Sequence, residues 1–292
     1  PPAAAAVARV ALGTLDSGAP LPAADCQALL AEARQGARPD QLAWVLFELY
    51  WVLANQGDAA GAEALLMEAW ALAARCGFRR EEANLTSQLA VLHADRGDRD
   101  GAMALFDIAL ARAGEVGSPL VLIRLRMAEA EFAAGNRVQA IAIATENARD
   151  VAAGGHAAVV REAVHGNLAT YLLAEGRLAE ALPHAQVAAD TNRAHDRLFT
   201  LPWTLERVAL AACLSGEPAL AARLAGCADA LLERGGVRRE ATELAVRGLL
   251  DGHLLAALGE ARARRLRREG AARDAAWARG AVARFLSDRL AR

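Results

Sequence analysis

The chain has 292 residues, 54% hydrophobic and 4% aromatic, with a net charge of −2 and arginine at every basic position. That length can bury a sizeable core, the Ala-, Leu-, Arg- and Glu-rich mixture favours helix, and the near-neutral balance excludes a chain that binds polyanions along its whole length. The charge is uneven: Arg238 to Arg292 holds 13 arginines against 7 acids, about +6, leaving about −8 elsewhere.

The absence of lysine is attributed to biased codon usage. Cys26, Cys76, Cys213 and Cys227 form no CxxC pairing, so they are expected to be reduced thiols of a cytoplasmic protein. No apolar run approaches the roughly 18 residues of a membrane span. The start, Pro1-Pro2-Ala3, carries neither an initiator methionine nor a signal-peptide pattern, and it reads as a piece of a longer chain.

Taken in chain order, helical patterns first cover residues 3–12 and 23–35, separated by Asp16-Ser17-Gly18-Ala19-Pro20. They read as an N-terminal cap or a degenerate repeat occupying residues 1–40. From residue 41 a repeat sets in. Gly57, Gly97, Gly135, Gly176 and Gly216 recur about every 40 residues. Eight residues before each lies Leu49, Leu89, Met127, Leu168 or Val208, and five after each lies Ala62, Ala102, Ala140, Ala181 or Ala221. Seven further on come Ala69, Ala109, Asn147, Ala188 and Ala228. A period in this range predicts a helical repeat array.

In each unit the glycine supplies the left-handed residue that ends a first helix. Asp58, Asp98 and Glu217 follow it, placed to cap a second helix. The alanine faces back toward the first helix and lets two backbones approach closely. Longer helices or loops are expected near Gly77, Gly117, Gly154-Gly155 and Gly235-Gly236. Residues 237–292 then read as two or three Arg-rich capping helices, broken near Gly259 and Gly270. Arg262, Arg264, Arg265, Arg267 and Arg268 surround one short helix there as a solvated cap. No aromatics interleave with them, so no nucleic-acid binding is expected.

These offsets resemble the tetratricopeptide repeat, with a large apolar residue, a small one, Gly, Ala and Ala in register. The small position is Ala90, Ala128, Ala169 and Ala209, with Tyr50 the exception. The resemblance covers residues 41–236. It implies an all-α fold: an α-solenoid, wound as a right-handed superhelix, of about five antiparallel helix pairs. Units of about 40 residues exceed the usual length of about 34. In that respect they are similar to those of large bacterial signal-transduction ATPases and ATPase-linked transcription regulators. The run Ala221-Ala222-Arg223-Leu224-Ala225-Gly226, the later Leu258-Gly259-Glu260 and the terminal helix through Phe285 also resemble the end of such regulators. A phosphate-binding GxxxxGK[ST] loop needs a lysine and is absent.

Motifs for catalysis are missing. The six histidines form no HExxH or close Cys/His set, and there is no GxSxG or GxGxxG. Asp95, Asp98 and Asp100 around Gly97 read as turn and cap residues rather than a cation site. No catalytic residue, cofactor or metal is expected.

The resemblance implies that the first helices line a concave face. Its inward positions, counted from each glycine, include Trp44, Trp51 and Asn55, then Asn84, Ser87 and Asp95, then Glu129, Thr170, Trp203 and Glu206. Aromatic anchors with sparse polar groups suit a peptide or protein segment or a small ligand. Trp44, Phe47 and Trp51 at helical spacing also suit packing against residues 3–35, and both readings stand. The expected function is a non-catalytic interaction or regulatory module that binds a protein or peptide. A small-molecule effector and self-association as a homodimer are the alternatives, and no membrane contact is expected.

Overall fold

A computed structural model describes residues 23–117, 120–235, 237–239 and 241–291, without the side chains of residues 23, 24 and 55. The helix expected over residues 3–12 lies outside the described residues. Among the described residues the regular structure is entirely helical, in fourteen α-helices with no strand. No described helix is long and apolar enough to cross a membrane. The chain divides into two compact units, with the boundary between Met127 and Ala128.

In the first unit, α1 (Ala23–Gly36), α2 (Pro39–Gln56), α3 (Ala59–Cys76), α4 (Arg79–Asp95) and α5 (Arg99–Glu115) each pack against the next. The core joins Cys26, Leu29 and Ala33 of α1 to Leu46 and Leu49 of α2 and to Leu66 and Ala69 of α3. The boundary falls within α6 (Val121–Ala133).

The second unit continues with α7 (Arg137–Ala152), α8 (Ala158–Ala174), α9 (Leu178–Ala194), α10 (Leu201–Leu214) and α11 (Pro218–Gly235). Here α8 packs on α9 and α10 on α11, while α8 also touches α10. The last three helices are α12 (Ala241–Leu258), α13 (Glu260–Ala271) and α14 (Ala275–Leu290). α12 lies on α10 and α8, and α13 lies on α11. α14 folds back across α9, α10 and α11, where Arg279 pairs with Asp196 and Arg289 with Glu217.

The repeat has a common backbone cause. At Gly57 (φ 87°) the glycine N–H donates to Ala54 O at 3.0 Å, and the next N–H, of Asp58, reaches back to Leu53 O at 3.0 Å. This double bond pattern needs a left-handed residue between the two helices, and glycine adopts it without a Cβ penalty. The same pair of bonds recurs at Gly97, Gly135, Gly176 and Gly216. Asp58 and Asp98 then cap the following helices by accepting from the Gly61 and Gly101 N–H at 2.9 and 3.0 Å. The five following alanines, Ala62, Ala102, Ala140, Ala181 and Ala221, are all buried, so any larger side chain there pushes two helices apart.

Of the two breaks expected near the C-terminus, the first falls at Gly259 (φ 68°). The second follows Ala271, so that Gly270 lies inside α13, against α11. The arginines of α13 are partly paired: Arg264 with Glu260, Arg265 with Glu269 and Arg267 with Asp251. Its Ala263, Leu266 and Gly270 are buried.

Candidate ligand-binding cleft

Because α8 packs on α10, and α12 packs on both, the inner faces of these three helices converge. They enclose a cleft of about 190 Å³, bordered also by Glu129 near the end of α6. Val159, Ala163 and Trp203 supply apolar walls; Asn167, Thr200, Thr204 and Arg207 supply polar ones; Glu162 and Glu243 add carboxylates.

Arg207 is the central group. It belongs to a helix whose residues 204–212 are all buried, and it is itself only 7% exposed. Its Nε donates to Thr170 Oγ1 at 3.1 Å. Its Nη2 rests over Gly166 of α8, where a Cβ would lie only 2.5 Å away, so the small residue creates the space for the guanidinium. Burial lowers its pKa to about 10, against the opposing pull of Glu162 and Glu243. Charge removed from water this far is costly unless it finds a counter-ion.

The acids around it are held in distinct ways. Glu162 is buried; Asn192 Nδ2 donates to its Oε1 at 3.0 Å, and Arg197 Nε lies 3.1 Å from its Oε2. The same Asn192 nitrogen lies 2.9 Å from Thr200 Oγ1, which fixes that rim of the cleft. Glu129 Oε1 accepts from Asn167 Nδ2 at 2.7 Å. Behind them the buried Tyr171 stacks on Phe132, with ring centroids 4.5 Å apart. Burial raises the Tyr171 pKa well above its usual value, and Glu129 and Glu243 raise it further. Trp203 is half-buried, stacked edge-on with Phe199 at 5.2 Å, and its buried Nε1 has no hydrogen-bond partner among the described residues.

The sequence-predicted positions scatter over several environments. Glu129 and Trp203 line this cleft, and Thr170 stands behind it as the acceptor for Arg207. Glu206, one residue from Arg207, is 2% exposed and points elsewhere. It accepts from Arg239 Nε at 2.9 Å and Arg247 Nη1 at 3.0 Å, and both arginines also hold Asp229. Burial opposes the Asp229 charge, but Arg247 and Arg239 outweigh it and keep its carboxyl below the usual range.

In the first unit, Arg126 Nη1 donates to Asn84 Oδ1 and Ser87 Oγ, each at 2.7 Å, so those two polar positions share an internal partner. Trp44 and Trp51 pack half-buried against the core formed with α1, and Trp51 meets Tyr50 edge-on at 5.1 Å. Asp95 is exposed at the end of α4. The side chain of Asn55 lies outside the described residues.

Sequence reasoning passed over Glu162, Asn167, Thr204, Arg207 and Glu243, all of them in the cleft. It also passed over a histidine pair. His165 Nδ1 and His184 Nδ1 lie 2.9 Å apart across α8 and α9, with their rings stacked at 5.1 Å. Burial, then the charges of His184 and Arg161, lower the His165 pKa to about 4, and burial lowers that of His184. Among the described residues no three His, Cys, Asp or Glu side chains gather as a metal site. No protein-family model matches the sequence, and no curated protein matches it significantly.

Proposed function

We propose that this protein is a non-catalytic binding module: an α-solenoid of tetratricopeptide-like helix pairs that serves as the sensor region of a larger bacterial signalling or transcription regulator. The five recurring glycine turns support the repeat reading. In this reading the cleft between α8, α10 and α12 holds a small effector. The observation that carries it is Arg207, a buried arginine that lines an open cleft and has one hydrogen bond, to a neutral threonine. A ligand that meets it shifts the stability of the helices around it, and through them the state of an attached output domain.

A small molecule is preferred to the protein or peptide partner expected from the tryptophans, because Trp44 and Trp51 are half-buried in core contacts while the cleft is lined by polar residues around the buried Arg207. Self-association has one observation in its favour: Leu244 and Leu255 of α12 are more than half exposed. Light scattering at high concentration separates a dimer from a monomer.

The test is a thermal-shift screen of a broad metabolite library against the wild type and Trp203→Ala. A ligand at 100 times its Kd stabilises by about 2.7 kcal/mol, a readily measured rise in midpoint. The proposal expects at least one compound that raises the wild-type midpoint and leaves the variant unmoved. A library that moves neither protein at millimolar concentration counts against it.

A further inference from the structure

The cleft also constrains the chemistry of its occupant; this step rests on the reading of the cleft as the binding site. Arg207 offers a cation fixed by Thr170 and seated on Gly166. Among the described residues no carboxylate forms a direct ion pair with it, and Glu162 and Glu243 act on it only at longer range. Trp203 lines the same cleft, and its buried Nε1 has no partner among the described residues. Two donors of this kind ask for an anionic acceptor.

A simple anion does not suit the site. Glu129 and Glu243 line the same cleft, and a second negative charge placed there alone is repelled by both. A simple cation suits it no better, since it leaves Arg207 buried without a counter-ion. Each carboxylate has about four acceptor sites, so the bonds these acids already make leave room for an ammonium. Glu162 is already engaged by Arg197 and Asn192. The remaining walls, Val159, Ala163 and the Trp203 ring, are apolar.

We propose that the cleft binds a free α-amino acid with an apolar or aromatic side chain, its carboxylate on Arg207 and Trp203 Nε1 and its ammonium toward Glu129 and Glu243. The two charges of one zwitterion answer the two signs of the site, and the side chain covers the apolar wall. A space of about 190 Å³ accommodates a molecule of this size and excludes a folded partner.

Isothermal titration of the wild type with the twenty L-amino acids, followed by the N-acetyl and amide derivatives of any that bind, tests this. The expected result is binding of one or a few apolar or aromatic amino acids. Each derivative should bind about 10- to 100-fold more weakly, because a hydrogen bond to a charged group is removed. Arg207→Gln should abolish binding. Glu243→Gln, at a half-exposed position, should weaken it about 10-fold with an unchanged circular dichroism spectrum, so the test survives if the arginine variant fails to fold. Equal binding of the N-acetyl derivative overturns the zwitterion, as does the absence of binding by every amino acid. If a different class of compound shifts the wild type and not Trp203→Ala, the amino-acid assignment fails while the cleft stands as the site. If no compound of any class binds, both fail.

Discussion

Gly226 of α11 and Gly270 of α13 let their two helices cross with backbones in contact. A Cβ on Gly226 would stand 2.0 Å from Arg267 O, and one on Gly270 would stand 1.9 Å from Arg223 O. The obstacle in each case is main chain, which cannot rotate aside. Gly270→Ala is therefore expected to destabilise the protein by about 2–3 kcal/mol, since overpacking outweighs the roughly 1 kcal/mol that alanine gains in helix propensity. Gly248→Ala, on the exposed side of α12 with nothing within 4 Å, should instead stabilise by about 0.5–1 kcal/mol. Urea unfolding of both variants checks the contrast, and a stable Gly270→Ala removes the close crossing.

The crossing also shows where the sequence was informative. The turn glycines and the alanines five residues after them were legible because their causes are local: a left-handed residue, and a short side chain on the first turn. Gly270 looks like a helix break in the sequence because its reason is a partner 47 positions away, Arg223, which no local pattern contains. The site failed in the same way. Counting from Gly176 and Gly216 reached Thr170, Trp203 and Glu206, yet the cation of the cleft is Arg207, one residue beyond the counted position. A count places Cα atoms on a face and says nothing of how far a long side chain reaches, or of Gly166 making room for it. Glu206 was on a counted position, but Arg239 and Arg247, from beyond the repeats, enclose it.

Glu206 should accordingly matter for stability rather than for binding. Removing it leaves Arg239 and Arg247 with Asp229 alone among their shared acids, at a position 2% exposed. Glu206→Ala is expected to cost about 3 kcal/mol, at the low end for breaking a buried pair because Asp229 remains. Chemical denaturation measures the loss. A variant as stable as the wild type contradicts the role assigned to this network.

The histidine pair predicts a pH dependence with a definite sign. His165 is lowered to about 4 in the folded protein, against about 6.5 when unfolded. Between these values the unfolded chain binds protons that the folded chain refuses. Stability is thus full above about pH 6.5 and falls as the pH drops toward 4, by an amount on the order of 3 kcal/mol. His184, also lowered, adds in the same direction. His165→Gln should flatten the curve between pH 6.5 and 4.5 relative to the wild type. Parallel curves for the two proteins place the acid sensitivity elsewhere.

Arg207 marks the ligand site in this reading. Native mass spectrometry of the purified protein, after incubation with a small-molecule extract of bacterial cells, addresses it most directly when wild type and Arg207→Gln are compared at matched folding. The wild type is expected to retain one small molecule in a one-to-one complex and the variant to retain none. Retention of the same molecule by both proteins, or by neither, would contradict it.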